Sequence, residues 1–380
     1  VGSVRRKPSG RWEARYRDPA GCQRGQTFRT KREAELFLQR VGADVQRGEW
    51  IDPEAARMRF RRFAERWLET KVNLKESTQA DYLSVLSNHL LPAFGDLPLA
   101  RVDRVAVQAW VAASVKRGLG AGTIRNAYGV LRQVMGAAVE AGAISKTPCR
   151  GIDLPTVVRD EMNFVTHEEI AALAEAMAHP KDYKGRPRGN FPQFALAVQV
   201  AAYTGVRFGE LAALRRKRVD LLHRRIHVAE SVKEVRGRLV FGPTKTYETR
   251  TVPFPDFLAE PLARHLDGLP GDFDQLVFTA RDGAPLRNSN FRRRFDAAVA
   301  QAGLPKGLRI HDLRHSFAAL LIAAGGHPQA VKERMGHSTV QVTFDRYGHL
   351  FPALESSLTD ALDKAARKAL SESGRQASSA

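Results

Sequence analysis

The chain has 380 residues, 43% of them hydrophobic, enough to build cores in two or three domains and to exclude a wholly disordered protein. Its formal net charge of +19 makes a polyanion the expected partner, because each neutralised phosphate releases counterions, although an Arg- and Ala-rich genome would produce part of that charge. No apolar run is long enough for a membrane helix, VGSVRRKPSGRW lacks a signal-peptide core, and Cys22 and Cys149 lie far apart; a soluble cytoplasmic protein without a disulfide framework or zinc knuckle is expected.

Residues 1–57 open with polar and aromatic alternation, RWEARYRD and RGQTFRT about a GC turn, which predicts a small sheet. KREAELFLQRVGADVQRG follows as a helix, with Thr30 as its cap. The strands carry Arg11, Arg15, Arg17, Arg24 and Arg29, and a small sheet with a basic face can enter a DNA major groove; solvated arginines on an appendage are the plainer reading.

Residues 58–150 repeat apolar positions at three and four in RFRRFAERWLETK, STQADYLSVLSNHLLPAFG, RVDRVAVQAWVAASVKRG and GTIRNAYGVLRQVMGAAVEAG, predicting a four-helix bundle with Ser77 and Thr123 as caps. Its polar faces present Lys71, Lys75, Lys116, Arg125 and Arg132 as candidate DNA contacts. The stretch at 151–161 reads as a linker. In residues 162–355 helices return, interrupted by RRIHVAESV, GRLVFGP and ETRTVPF, which predict one small antiparallel sheet with GPTKTYE as its second connection. Residues 356–380 read as a helix and a disordered tail.

Six side chains in this last unit suit a single pentavalent phosphate. Arg207 in TGVRFGEL can fork onto two phosphate oxygens, with Glu210 three residues on to hold it. HDLRHSFA gives His311 and Arg314 at a spacing of three; His315, four after His311, permits a zinc pair, but no HExxH accompanies it and Arg314 would repel a metal. Lys245, in the strand connection, could protonate a leaving oxygen, and His337 in MGHS could donate to another phosphate oxygen. Tyr347 lies ten residues after His337; its phenol, with an ordinary pKa near about 10, would attack if two arginines offset the developing charge. Each residue alone has a plainer reading: a surface arginine, a solvated turn lysine, a capping histidine, a surface aromatic. No Walker-type phosphate loop and no carboxylate cluster is visible, so neither cofactor nor metal is expected.

Taken together, TGVRFGEL, the lysine of GPTKTYETRTVP, HDLRHSFA, MGHS and the late tyrosine of FDRYGH resemble the tyrosine recombinases, more narrowly the phage-type integrases of actinobacteria and their plasmids. The resemblance implies a multidomain, mainly α chain whose catalytic fold, with its small β-sheet, breaks and rejoins DNA. It also implies a helical core-site-binding domain and an arm-type DNA-binding domain of three strands and a helix. It implies that Arg207 and Arg314 grip the scissile phosphate, Lys245 and His311 handle protons, His337 assists, and Tyr347 joins the 3′ phosphate. The implied partners are core- and arm-type DNA sites, three further copies in a synaptic tetramer that passes through a Holliday junction, an excisionase and a host DNA-bending protein. The helix after Tyr347 would be exchanged between neighbours. Met335 departs from the leucine usual before GHS, and Glu248 or Thr249 from a common serine. A type IB topoisomerase and a DNA-binding protein that has lost catalysis are the alternatives.

Overall fold

The computed structural model describes residues 2–19, 21–48, 50–157, 162–182, 184–244, 249–269, 271–351, 359–360 and 362–367. Two compact units emerge, Val1–Arg159 and Asp160–Ala380.

The first unit begins with an antiparallel meander, β1 (Ser3–Arg6), β2 (Trp12–Arg17) and β3 (Gln23–Phe28), followed by α1 (Lys31–Gln46). Alternation along β2 buries Ala14 and Tyr16 on the helix side, where Phe37 meets Tyr16 and Phe28 at 5.8 and 5.1 Å. Thr30 caps α1 as expected and closes a capping box with Glu33. The unit continues through α2 (Pro53–Arg57), α3 (Phe60–Glu69), α4 (Glu76–Val85), α5 (Leu91–Phe94), α6 (Arg104–Lys116) and α7 (Ala121–Glu140). The helical spacing of Phe60, Ala64, Trp67 and Leu68, and of Ile124, Ala127, Leu131, Val134 and Ala138, closes one core. Between α4 and α5 the backbone widens to a π-helical turn at Leu86–Leu90 just ahead of Pro92. A proline inside a helix lacks the N–H and crowds the carbonyl four residues back, and the widened turn accommodates it.

Two expected caps are corrected. Lys75 and Gly120 stand at the N-cap positions of α4 and α7, so Ser77 and Thr123 lie inside the first turns, and neither of those N-caps has a side-chain cap bond.

The second unit runs α8 (His167–Ala178), α9 (Pro192–Thr204), α10 (Phe208–Ala212), β4 (Val219–Asp220), β5 (Arg225–Val228), β6 (Glu230–Val235), β7 (Arg238–Pro243), β8 (Arg250–Pro253), α11 (Ala259–Asp267), α12 (Asn288–Gln301), α13 (Ile310–Ala323), α14 (Pro328–Met335) and α15 (Val340–Tyr347). Its core joins α8, α9, α11, α12 and the strands, while Phe317, Ala318, Ile322, Val331, Met335 and Tyr347 form a second cluster where α13 to α15 meet.

The expected single sheet is two. β5 pairs with β4 and β8, whereas β6 and β7 form a separate hairpin, because RRIHVAESV breaks at Ala229. The hairpin turns on Arg236 and Gly237, both at positive φ (49° and 77°), the handedness that a two-residue turn between right-twisted strands requires. The connection from β7 to β8 therefore links the two sheets, and Lys245 within it lies outside the described residues.

Candidate active site

Two glycines shape the ground on which the site is built. Gly205 ends α9 in the left-handed region, φ 64°, and a Cβ there would sit 2.3 Å from the Phe317 ring of α13. Only a glycine lets α9 end against α13 so closely. Gly336 ends α14 at φ 60°, and a Cβ there would press on the Arg250 side chain at 3.1 Å.

Around these turns the two expected arginines converge. Arg314, on α13, is buried and donates to the carbonyls of Gly205 and Met335. Arg207, at the head of α10, donates to the next carbonyl, that of Gly336, at 3.3 Å and to Glu210 Oε1 at 2.9 Å. Adjacent peptide carbonyls thus receive both guanidinium groups, so residues more than a hundred apart in sequence share one site. Burial and the repulsion of Arg207 bring the Arg314 guanidinium down to about 9, with Glu210 opposing, so it stays cationic at neutral pH.

Glu210 holds Arg207 as the sequence suggests, and more. Its side chain is 1% exposed and accepts from the Arg207 backbone N–H at 2.8 Å and from both terminal nitrogens of Arg250 at 2.9 and 2.6 Å. Burial alone would raise the carboxyl; the hydrogen bond and charge of Arg250, then those of Arg207, override it and bring it to about 2. Arg250 has no place in the sequence reading, and its partnership with Glu210 across forty positions leaves no local signal.

The tyrosine is not a surface aromatic. Tyr347 is fully buried at the end of α15, its hydroxyl 2.6 Å from Nδ1 of His315 and its ring parallel to that of His337 at 6.4 Å. Burial, resisted by Arg314 and Arg346, pushes its phenol up to about 12, which corrects the ordinary value expected from sequence. His315, weighed there only as a metal partner of His311, is the second residue missed; its buried position one turn along the helix that presents His311 was the available signal. Burial, then the neighbouring His311, holds His315 at about 4, and burial, then Arg314 and Arg207, holds His337 there too. Both are neutral at pH 7. His337 follows the end of α14 and bonds Thr343 at 2.9 Å, while Thr339 caps α15. His311 faces solvent, lowered by partial enclosure and then by Arg314 and Arg346.

Several candidate DNA contacts in the first unit are differently placed. Arg15 and Arg17 lie on the open face of the sheet, Arg11 and Arg29 are exposed at its ends, and Lys71, Lys116 and Arg132 are exposed on the bundle, with Lys71 over the Trp67 ring. Lys75 is half-buried at the head of α4. Arg24 is a correction: its position opposite Tyr16 turns it to the helix side, where Asp18, Asp52 and Glu54 take its guanidinium at 3.1 to 3.4 Å. Arg125 is another, since it donates to Pro155 and Leu154 carbonyls and straps the end of the unit onto α7.

The Phage integrase family matches residues 163–353, its N-terminal domain residues 1–47, and its N-terminal SAM-like domain residues 59–113. The prophage phiRv2 integrase of Mycobacterium tuberculosis is 31% identical over 377 residues, covering 96% of each chain. The chain belongs to the phage integrase family of tyrosine recombinases. It is a tyrosine-type site-specific DNA recombinase, which sets aside the topoisomerase and the inactive accessory protein. The integrase of Mycobacterium phage D29 is 29% identical over 89% of this chain and 90% of its own. In fold the chain is similar to the Tn1549 transposon integrase in complex with a circular intermediate DNA, with a TM-score of 0.68 at 21% identity over 80% of this chain and 99% of that one. It is also similar to a lambda integrase tetramer bound to a Holliday junction, at 0.55 and 18% over 88% and 95%.

Proposed function

We propose that Tyr347 is the nucleophile of this recombinase and that Arg207 and Arg314 bind the scissile phosphate. The observation that carries this reading is the convergence of both guanidinium groups on the carbonyls of Met335 and Gly336, the two residues just before His337, beside the helix that ends in Tyr347. The phenolic oxygen bonds to phosphorus, the bond to the 5′ oxygen breaks, and a 3′-phosphotyrosyl diester stores the energy for resealing. No net hydrolysis occurs.

The electrostatics support the same chemistry. Arg207, Arg250 and Arg314 gather about the one carboxylate of Glu210, and exposed Arg346 adds charge beside Tyr347, so an arriving phosphate finds excess positive charge prepared for it. Its negative charge also raises the neutral imidazoles of His311 and His337 towards the range where a proton can pass. The Tyr347 proton passes to the imidazole of His311 as the hydroxyl parts from His315, and Lys245 delivers one to the 5′ oxygen.

We assign core-type DNA to the bundle and arm-type DNA to the open face of the three-stranded sheet. Four copies act on two duplexes through a Holliday junction, with residues 356–380 exchanged between neighbours and an excisionase and a host DNA-bending protein as accessory factors. The reaction serves integration and excision of a mobile element. Among the described residues no helix is long and apolar enough to cross a membrane. We assign the activity to the cytoplasm, alongside its DNA substrate.

The test is Tyr347→Phe on a nicked suicide duplex carrying the element's own junction sequence, read from its genomic flanks. The variant binds that duplex like the parent and forms no covalent adduct. An adduct of undiminished yield would remove the assignment.

A further inference from the structure

Arg250 has no role in the chemistry above, yet it braces three segments of the site. It is the first residue of β8, five positions after Lys245, and is held in register opposite Val228 of β5. Its terminal nitrogens grip both oxygens of Glu210, its Nε donates to the Arg334 carbonyl at 3.3 Å, and Gly336 packs against its side chain. At 12% exposure and with its fork spent on a buried carboxylate, it is not built to bind a phosphate itself.

What it does to its neighbour is more telling. A carboxylate left alone with one arginine favours the two-pronged pair. Here Arg250 already occupies both oxygens of Glu210, so the Arg207 guanidinium makes one contact, through Nη1, and keeps Nη2 on the Gly336 carbonyl. We infer that Arg250 is a positioning residue of the strand-cleavage site: by holding both oxygens of Glu210 it stops that carboxylate from taking both prongs of the Arg207 fork, whose remaining N–H groups are left to face the scissile phosphate. The inference rests on the reading that Arg207 binds that phosphate. It extends it to a residue that touches no substrate.

The experiment compares Arg250→Gln, Arg250→Lys, Glu210→Gln and the double variant R250Q/E210Q in the full chain. Adduct formation on the suicide duplex is measured at saturating DNA, together with half-saturating DNA concentration and melting temperature, with Tyr347→Phe as the blank. R250Q is expected to slow adduct formation by about 100-fold, the scale of loss that follows a misplaced catalytic group, while half-saturation moves by less than about 3-fold. R250K is expected to recover most of the melting temperature but not the rate, because one ammonium cannot cover both carboxylate oxygens. That split separates positioning from bulk stability. The double variant should be no slower than the worse single one, since both act through the same contact. Adduct formation at the parental rate by R250Q or R250K, or losses that multiply in the double variant, overturns the inference. A parent chain that forms no adduct strikes down the Tyr347 reading itself, before any Arg250 variant is compared.

Discussion

The clamp around Glu210 and the open face of the N-terminal sheet are both built from arginines and a glutamate, and they behave differently. On the sheet, Glu13 takes Arg15 at 2.8 Å, Lys7 at 3.0 Å and Arg5 at 3.5 Å, but those cations keep 34 to 60% of their side-chain surface in water. Exposed pairs of this kind contribute roughly 0 to 1 kcal/mol each. In the clamp the carboxylate is dehydrated, and every hydrogen bond it accepts replaces lost water. On the proposed function, the first arrangement would let cations exchange an acid for a phosphate along a DNA backbone, and the second would fix guanidinium groups before DNA arrives. The difference separates affinity that salt can tune from geometry that chemistry needs.

The sharpest way to break this comparison is to remove the two glutamates in turn. Glu210→Gln leaves Arg250 and Arg207 without their buried anion and should cost about 3 to 5 kcal/mol. Glu13→Gln should cost less than about 1 kcal/mol. Urea unfolding of both variants measures the gap, and equal costs would erase the distinction between the regions.

Acid gives the next largest effect, and it falls on the catalytic unit. His315 and His337 are held at about 4, below an unfolded value near about 6.5, so the native state binds fewer protons than the unfolded chain between those limits. Stability is therefore complete above the unfolded value and is lost as pH falls towards 4, by on the order of 3 kcal/mol for buried His315. Glu210 adds a second loss at lower pH: its contribution is present above the unfolded carboxyl value and disappears as pH falls through about 2. His315→Gln should flatten the upper part of this profile in thermal melts between pH 4 and 7, and an unchanged profile would dismiss His315 as its source.

A backbone comparison is smaller but cleaner. Gly205→Ala combines positive φ with a Cβ 2.3 Å from an edge carbon of the Phe317 ring and should destabilise by about 2 to 3 kcal/mol, whereas Gly237→Ala, at positive φ with open space, should cost about 1 kcal/mol. Melting temperatures of the two variants decide it.

How far these features were legible before the structure depended on range. Helical period found the bundle, and Thr30 with Glu33 spelled a capping box within four residues. Arg207, Glu210, Arg314, His337 and Tyr347 were singled out because residue type and order carry the chemistry, and the structure gathers them. Arg250 and His315 were overlooked because their meaning lies in partners 40 and 32 positions away. Alternation showed strands at 225–228 and 230–235 but could not show that a break at Ala229 sends them to different sheets, since period two records a face and not a neighbour. Arg24 and Arg125 looked like DNA contacts for the same reason: nothing in the string reveals that acids or carbonyls already hold them.

The smallest expected effect tests the other side of the opening comparison. Arg17 is exposed at the end of β2, on the sheet face away from α1, and its recorded bond is to the nearby Gly21 carbonyl at 2.9 Å. If that face follows a DNA backbone, Arg17→Gln removes one phosphate contact and lowers the slope of log affinity against log salt by about 1, evenly across sequences. The melting temperature should not move, because no buried partner is left behind. Arg24→Gln should do the reverse, lowering stability through Asp18 and Asp52 while leaving the salt slope intact. Measured together on distal-site DNA, the pair distinguishes an arginine kept for a partner from one kept for the fold; a salt slope that shifts with Arg24 and ignores Arg17 would mean the sheet meets DNA by its other face.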